Sequence, residues 1–447
     1  MVFEKIIRLD NVNNELIPYY HYKGKELIAS STITGEKVKV QINDNPIFPS
    51  LKVLEILKES PDRIEPLCPI FHQCGGCTLL HMTYERQLKE KTELVRRVLQ
   101  GIAGIKVKVP DCLGMENPYH YRNKNQVVFK NAGNGRIISG FYEKGTHNVI
   151  DFKRCLIQDQ YADEIVETIK KLMIELGIPA YNEDYQQGFL RHVLIKRSFA
   201  TNQTMVVLIT GKNNFPKEKE FISRLLVLHP NITTIIQNLN NSQTSAVLGE
   251  KEKVLYGNGY ILDILMGKKF LVSSKSFYQV NPYQTEVLYK TALEMANLNR
   301  NEVLLDAYSG VGTIGIIASE KVKRVVSVEI VEEAVKAGIR NAKLNNIKNI
   351  HFNYQDATKY MIDSARHGSR IDVVILDPPR RGCGDLFMAA VIASKIKKVI
   401  YISCNPVTQA KDIKKLLRNG YVVTGVQPVD LFPHTSHVEC IICLQKR

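Results

Sequence analysis

The spacing of apolar residues changes along the chain and divides it into three parts. In residues 1–60, short runs such as Glu36–Ile42 alternate apolar and polar positions, which is the period of a half-buried β-strand. The apolar run Leu51–Leu57 fits either a helix or an extended segment and ends before Pro61. We therefore predict a small N-terminal β domain over residues 1–60.

Residues 61–275 contain one helical pattern followed by strand patterns. Apolar residues between Tyr84 and Gln100 recur at intervals of three and four, which indicates a helix. From about residue 119 the pattern becomes that of strands, and the clearest runs are Gln126–Phe129, Ile137–Phe141, Val193–Lys196 and Met205–Ile209. This part predicts a mixed, β-rich middle domain.

Residues 276–447 alternate strand runs with helical runs. The predicted strands are Val303–Asp306, Arg324–Glu329, Asp372–Asp377, Lys398–Ser403 and Val438–Leu444, and the predicted helices span about 313–320, 331–345 and 385–396. Such alternation is typical of a parallel sheet that binds ligands at the carboxyl ends of its strands. The chain as a whole is therefore predicted to be a multidomain α/β protein with a Rossmann-like C-terminal sheet.

Composition narrows the class of protein. The 447 residues are 44% apolar and 23% charged, as in soluble globular proteins. No apolar run approaches the roughly 18 residues that span a bilayer, and residues 1–14 have the pattern of neither a signal peptide nor a transit peptide. We expect a cytoplasmic monomer that does not bind membranes.

The positive charge indicates a polyanionic partner. The net charge is +15, yet residues 1–60 hold eight Lys/Arg and eight Asp/Glu, so the whole excess lies downstream of them. A basic surface attracts phosphates of any sequence, so charge alone does not identify the partner.

A glycine-rich turn follows the first C-terminal strand. In the segment Tyr308–Gly315, Gly310 and Gly312 would let the backbone pass close to a ligand. The same glycines satisfy the dinucleotide pattern G-x-G-x-x-G, and a tight turn without a ligand is a third interpretation. The turn alone does not identify a cofactor.

Two further strand ends favour S-adenosylmethionine. Glu329 ends the second strand, where a carboxylate can accept both ribose hydroxyls of an adenosine. Asp377 begins the sequence Asp-Pro-Pro-Arg, in which a rigid Pro-Pro pair can hold a flat base but has no evident role in hydride transfer. A nicotinamide oxidoreductase would leave this motif unused.

Cys404 and Glu439 are candidate catalytic residues. Cys404 directly follows a predicted strand, and a thiolate that adds to carbon 6 of uracil makes carbon 5 able to attack a sulfonium methyl group. The proton on carbon 5 must then leave, and Glu439, at the start of the last strand, is a candidate base. The alternatives are a small buried cysteine and an exposed glutamate.

Three cysteines, Cys68, Cys74 and Cys77, lie within ten residues, and Cys155 follows later. In a chain without an export signal they indicate metal binding, and the spacing suits an iron-sulfur cluster or zinc equally. Cys112 competes with Cys155 for the fourth position.

These motifs together resemble the bacterial RNA uridine-5-methyltransferases related to RumA and TrmA. The resemblance covers nearly the whole chain through CPIFHQCGGC, SFYQVNPYQTEVLY, LLDAYSGVGTIG, LDPPRRG, ISCNP and HTSHVE. It implies a class I methyltransferase sheet and a 4Fe-4S cluster on Cys68, Cys74, Cys77 and Cys155. It also implies cofactor contacts from Gln279, Tyr308, Glu329 and Asp377, with Cys404 as nucleophile and Glu439 as base.

One departure from the family concerns the N-terminal domain. Members that bear the cluster usually begin with a basic, Gly-containing TRAM domain that binds RNA, whereas residues 1–60 here are charge-neutral and have only two glycines. We therefore expect RNA contacts from residues 116–154, which hold seven Lys/Arg against three Asp/Glu. The aromatic residues interleaved there are Tyr119, Tyr121, Phe129, Phe141 and Tyr142.

The branch of the family that bears the cluster implies 23S ribosomal RNA as the substrate, with a uridine flipped out of a loop. Transfer RNA is the alternative substrate. A cytosine-5 methyltransferase is another, although its RNA members typically place a second cysteine directly after the prolines, where this chain has Arg380. A non-catalytic RNA-binding protein would explain the charge alone.

Overall fold

The computed structural model describes residues 2–242 and 246–447. Its N-terminal part consists of short strands: β1 (Val2–Arg8), β2 (Asn11–Val12), β3 (Pro18–Tyr22), β4 (Lys25–Ile28), β5 (Lys37–Asn43) and β6 (Ser50–Lys58). They form two antiparallel sheets, ordered β1-β5-β6 and β2-β3-β4. The ambiguous run Leu51–Leu57 is therefore a strand, in which alternate side chains are partly buried.

Helix α1 (Tyr84–Val98) connects the N-terminal part to the rest of the molecule and continues into a π-helical turn, Leu99–Ala103. The Thr83 side chain caps it by accepting a hydrogen bond from the Arg86 N–H. Its buried residues share one hydrophobic core with the C-terminal sheet. Chain order places α1 in the predicted middle domain, but its packing partners lie beyond residue 300.

The middle part combines one large sheet with two helices. Its elements are β7 (Lys124–Asn131), β8 (Ile137–Tyr142), β9 (Val149–Asp151), α2 (Gln160–Leu176), β10 (Leu190–Arg197), β11 (Thr204–Thr210), α3 (Glu218–Leu228), β12 (Ile232–Leu239) and β13 (Lys251–Tyr256). The strand order is β13-β12-β11-β10-β7-β8-β9, and only β11 and β12 pair in parallel. The two helices, which the strand patterns did not predict, supply apolar residues to the core of this part.

The C-terminal part is a second large sheet with helices on both faces. A hairpin, β14 (Ile261–Leu265) and β15 (Lys268–Val272), precedes it and shares its core. The remaining elements are α4 (Pro282–Ala296), β16 (Val303–Ala307), α5 (Thr313–Ala318), β17 (Arg324–Glu329), α6 (Glu332–Leu344), β18 (Ile350–Tyr354), α7 (Ala357–Arg366), β19 (Val373–Leu376), α8 (Asp385–Ala393), β20 (Lys398–Ser403), α9 (Pro406–Arg418), β21 (Tyr421–Val429) and β22 (Glu439–Lys446).

The order of this sheet is β18-β17-β16-β19-β20-β22-β21. The first five strands are parallel, as the alternating pattern predicts, but β22 is antiparallel to both of its neighbours. The sheet is therefore parallel over these five strands, and its last two strands, β22 and β21, add an antiparallel hairpin at one edge. Strand order reverses between β16 and β19, and such a reversal leaves a crevice at the carboxyl ends of the strands.

Within residues 2–242 and 246–447, no helix is both long and apolar enough to cross a membrane.

Candidate active site

A cavity of about 580 Å³ lies at the carboxyl end of the C-terminal sheet, where the strand order reverses. It brings together most of the residues that the sequence analysis singled out, namely Gln279, Tyr308, Gly310, Glu329, Asp377, Cys404 and Glu439. These residues are up to 160 positions apart in the chain, between Gln279 and Glu439. The fold therefore brings the predicted cofactor-binding residues and the two candidate catalytic residues into one cavity.

The glycine-rich turn forms one wall of this cavity. Tyr308 has φ of 63° and Gly310 has φ of 55°, and the first of these is unusual for a residue with a side chain. The Gly310 N–H donates a 2.9 Å hydrogen bond to Glu329. Gly312 does not line the cavity: an added Cβ there would lie 2.7 Å from the Phe352 ring. Gly312 therefore allows close packing at the start of α5, and its cofactor role stays a prediction.

Glu329 is held at the end of β17 by backbone donors. Its second carboxylate oxygen accepts 2.9 Å hydrogen bonds from the N–H groups of Ile330 and Val331. The carboxylate is therefore fixed in orientation and remains at the cavity wall, as ribose binding requires.

Two further carboxylates lie nearby. Asp306 is buried beneath the turn and accepts a 2.8 Å hydrogen bond from the Gly315 N–H. Burial raises the pKa of Asp306 to about 7, and burial likewise raises the pKa of Asp377 to about 7. Asp306 supports the turn, whereas Asp377 faces the cavity.

Strand register places the two candidate catalytic residues side by side. Ser403 on β20 pairs with Cys440 on the antiparallel strand β22. The next residue on β20 and the preceding residue on β22 are therefore also opposite one another, and these are Cys404 and Glu439. Glu439 is buried, and burial, with the negative charge of Asp377, raises its pKa well above the usual range.

Arg380 is the cation of this site. Burial raises the pKa of the Cys404 thiol to about 11 and nearby Glu439 adds to the rise, whereas the Arg380 guanidinium opposes it. The backbone carbonyl of Arg380 accepts hydrogen bonds from Asn405 and Thr408, at 3.0 and 3.1 Å. The sequence analysis used Arg380 only to argue against cytosine; its position directly after Asp-Pro-Pro was the signal for a role at this site.

The segment Asp430–Val438, which leads into β22, is held by helix α1. Lys91 and Asp430 form a 2.6 Å ion pair in which both side chains are fully buried, and Lys91 also donates to the Phe432 carbonyl. The Tyr84 hydroxyl donates to the other Asp430 oxygen at 2.9 Å. Because Phe432 lines the cavity, these contacts fix part of its wall.

The cysteine-rich segment, residues 68–81, contacts the same loop, which precedes β22. The N–H groups of Thr78 and Leu79 both donate to the His434 carbonyl at 3.0 Å, and Gln87 hydrogen-bonds to His434 at two points. The residues that directly follow Cys77 therefore help to position the approach to Glu439.

The four cysteines predicted as ligands lie close enough for their charges to interact. Burial raises the pKa of Cys77, and the other three thiols raise it further. The Gly76 N–H donates to the Cys74 sulfur at 3.4 Å. The backbone at Ile70 lowers the pKa of Cys68, and the backbone at Ile157 and Gln158 lowers that of Cys155, but burial outweighs these effects and raises both pKa values. No group of three or more His, Cys, Asp or Glu in the described ranges is close enough together to hold a metal ion.

Cys112 is separate from this set. It is buried in the core shared by α1 and the C-terminal sheet, and its N–H donates to the Thr92 hydroxyl. It therefore does not compete with Cys155.

The predicted aromatic surface for RNA is wrong at two positions. Tyr121 and Phe129 are fully buried, and the Tyr121 hydroxyl donates to the Pro433 carbonyl. Tyr119 stacks on His434 with ring centroids 4.8 Å apart. Sequence alternation cannot distinguish the two faces of a sheet when a helix or loop covers both of them. Tyr142 remains exposed, as do the basic residues Lys130, Arg136, Lys144, Lys153 and Arg154.

The sheet order and the residues at its carboxyl edge define an S-adenosylmethionine-dependent methyltransferase of the Rossmann-like class. The sequence profile of the tRNA (uracil-5-)-methyltransferase family matches residues 83–447. The chain belongs to this family and is an RNA (uracil-5-)-methyltransferase.

Similar proteins agree with this assignment. An RNA methyltransferase of Bacillus cereus is 41% identical over 426 residues, which cover 95% of this chain and 92% of the relative. One from Halalkalibacterium halodurans is 42% identical and covers 94% and 92% of the two chains. Both relatives are described as uncharacterized. The solved Pyrococcus abyssi tRNA (uracil-54, C5)-methyltransferase in complex with S-adenosyl-L-homocysteine is 26% identical, with a TM-score of 0.79, and covers 99% of this chain and 100% of its own.

Proposed function

We propose that this protein methylates carbon 5 of a uridine in RNA through a covalent adduct to Cys404. The observation that carries the proposal is the register of β20 and β22, which sets Cys404 beside Glu439 in the cavity that the glycine-rich turn also lines. This reaction requires a nucleophile that reaches carbon 6 and a base that reaches the adjacent carbon 5 of the same uracil ring.

The chemistry follows from the two side chains. The Cys404 thiolate adds to carbon 6 of the uracil ring, and the electrons of the 5,6 double bond move onto carbon 5. Carbon 5 then forms a bond to the methyl group that bound S-adenosylmethionine would supply, and the sulfur–methyl bond breaks with its electron pair remaining on sulfur. The Glu439 carboxylate then removes the proton from carbon 5, the double bond re-forms, and the thiolate leaves.

The charges of Cys404 and Glu439 favour this sequence of steps. Two negative charges beside each other in a buried site are unfavourable, and Glu439 raises the pKa of Cys404 accordingly. Bond formation converts Cys404 into a neutral thioether. Cys404 therefore places no negative charge beside Glu439 when carbon 5 carries the proton to be removed, and Arg380 favours the ionised carboxylate.

Cofactor contacts are assigned to the cavity wall. Glu329 would accept the ribose hydroxyls, and Gln279, Tyr308, Gly310 and Asp377 would contact the remainder of the molecule. The cavity volume of about 580 Å³ falls within the usual range for a ligand of this size.

We further propose that Cys68, Cys74, Cys77 and Cys155 hold a 4Fe-4S cluster. The support is chemical: four thiols interact electrostatically, the Gly76 N–H donates to the Cys74 sulfur, and the backbone partly offsets the effect of burial on the pKa of Cys68 and Cys155, which favours thiolate ligands. A bound cluster would supply a rigid centre for the cysteine-rich segment. Iron and acid-labile sulfide in the anaerobically purified protein, lost together in Cys77→Ala, would support this; zinc in equal amount would contradict it.

For the substrate we propose 23S ribosomal RNA, on the resemblance of the cysteine motif to the branch that bears the cluster. Transfer RNA is the second candidate, favoured by the Pyrococcus abyssi protein, whose substrate is named as tRNA uracil-54. In either RNA the uridine must leave its stack to reach Cys404. The protein would act as a monomer in the cytoplasm.

The deciding experiment is mass mapping of 5-methyluridine in ribosomal and transfer RNA from a strain without this protein, complemented with wild type or with Cys404→Ala. Loss at discrete 23S sites, restored by wild type only, is the expected result. Loss in transfer RNA alone would overturn the substrate, and no loss in either would overturn the reaction.

A further inference from the structure

A second cavity, of about 270 Å³, lies on the other side of Cys404 and Arg380. These two residues line both cavities, so the second space adjoins the point where the proposed reaction takes place. Part of its wall comes from the N-terminal sheets, through Asn14 and Glu15 in the turn between β2 and β3. The N-terminal part thus lines the same cavity as Cys404.

The turn is held firmly on both sides. The Arg97 guanidinium of α1 donates to the carbonyls of Val12 and Asn13, at 2.8 and 3.3 Å. Leu16 is 3% exposed and belongs to the core that α1 shares with the C-terminal sheet. The positions of Asn14 and Glu15 relative to Cys404 are therefore set by the fold.

Their side chains, by contrast, have no partners of their own. Both are exposed, and neither side chain makes a hydrogen bond or an ion pair with the part of the chain that the structure describes. Both side chains are therefore free to contact a molecule that enters the cavity.

The lining of the cavity suits a flat base better than a phosphate. Leu94, Pro406, Val407 and Val438 provide apolar surface, and Asn14 and Glu15 provide polar groups at the edge. Arg380 is the one cation among the lining residues, and its guanidinium hydrogen-bonds to His437 at 3.1 Å. Glu15 would repel a phosphate.

We propose that this cavity receives a base next to the target uridine and that Glu15, assisted by Asn14, reads the edge of that base. A carboxylate accepts hydrogen bonds only. Guanine presents two adjacent donors on one edge, its N1–H and its exocyclic amino group, whereas adenine, cytosine and uracil each present one, so Glu15 selects guanine. This inference rests on the proposed RNA uridine methylation. It gives the charge-neutral N-terminal part a role in choosing the site, separate from electrostatic affinity.

The test uses stem-loop RNAs that carry the mapped target uridine, with each neighbouring nucleotide changed in turn to A, C, G and U. Single-turnover methylation is measured for the full chain and for Glu15→Gln, Glu15→Ala and Asn14→Ala. Glu26→Gln, at an exposed glutamate of β4 outside this cavity, is the matched control. Melting temperatures verify that every variant is folded.

At one neighbouring position we expect wild type to favour guanine by about tenfold over uracil. Glu15→Gln and Glu15→Ala should reduce that ratio to near one, whereas Glu26→Gln should keep it. The inference would be overturned if the wild-type protein methylated all the RNAs at the same rate. It would also be overturned if Glu15→Gln lowered the methylation rate by the same factor on every RNA. If wild type methylates none of the RNAs at uridine, the proposed function itself fails.

Discussion

At the scale of single residues, the charge on Cys404 would control the first step of the proposed reaction. Its pKa is raised to about 11, so the thiol is protonated near neutral pH and adduct formation should accelerate as pH rises. Removing the Arg380 cation should raise that pKa further, because a nearby positive charge favours the thiolate.

We therefore predict that Arg380→Met lowers the single-turnover rate at pH 7 by about tenfold or more and moves the pH profile to higher pH. Rates measured from pH 6 to 9 at saturating RNA provide the test. Arg381→Met is the control, since it removes a neighbouring cation of the same cavity and leaves Arg380 in place. An equal loss at every pH would show that Arg380 only binds substrate.

In the proposed reaction, Glu439 acts after the methyl group has been transferred. In Glu439→Gln the adduct can form but cannot lose its proton, so a covalent complex of protein and methylated RNA should accumulate. Denaturing gels with labelled RNA would show this species as a slow band. The double variant Cys404→Ala/Glu439→Gln should show none, and equal amounts in wild type and Glu439→Gln would contradict the assignment.

At the scale of elements, helix α1 is fastened to the loop that carries the catalytic strand. The Lys91–Asp430 pair is fully buried, so removing one partner leaves a charge without compensation in the protein interior. We predict that Lys91→Met destabilises the protein by about 3–5 kcal/mol, measured by denaturant unfolding.

The exposed pair formed by Arg96 and Glu93 lies on the same helix and serves as the comparison. Arg96→Met should change stability by less than about 1 kcal/mol, because solvent screens exposed pairs. If the double variant Lys91→Met/Asp430→Leu recovers the stability lost in Lys91→Met, the loss arises from the unpaired charge of Asp430. If the double variant is as unstable as Lys91→Met, the other contacts of Asp430 dominate.

At the scale of the whole molecule, the cysteine-rich segment joins all three parts. His81 hydrogen-bonds to the Thr32 carbonyl of the N-terminal part at 3.0 Å. Lys144, after β8, donates its N–H to the Gln73 carbonyl, and Thr78 donates to His434 in the C-terminal loop. Disorder in this segment would therefore loosen all three contacts at once.

We predict that Cys77→Ala lowers the melting temperature and makes the cysteine-rich segment susceptible to limited proteolysis. The methylation rate should fall as a consequence. His72→Ala, at an exposed position in the same segment, should leave all three unchanged. A Cys77→Ala protein with normal stability and protease resistance but no methylation would indicate that the cysteines act in the chemistry instead.

The strands of the C-terminal sheet and most residues at its edge were predictable from the sequence. Val303–Ala307 and Lys398–Ser403 are short apolar runs, and a side chain directly after such a run must lie at the end of the sheet. Glu329, Asp377 and Cys404 were found in this way. Helices α2 and α3 were not, because the strand patterns around them dominated the local periodicity.

The sequence by itself determined which residue types stand at strand ends, because apolar periodicity and motif order are local properties. Only the tertiary structure decided that β22 inserts beside β20 and so sets Glu439 opposite Cys404, and that Tyr121 is buried. It also decided that the turn at Asn14 and Glu15 lines the same cavity as Cys404. These are contacts between residues hundreds of positions apart, and they depend on how whole sheets and helices pack, which no local pattern encodes.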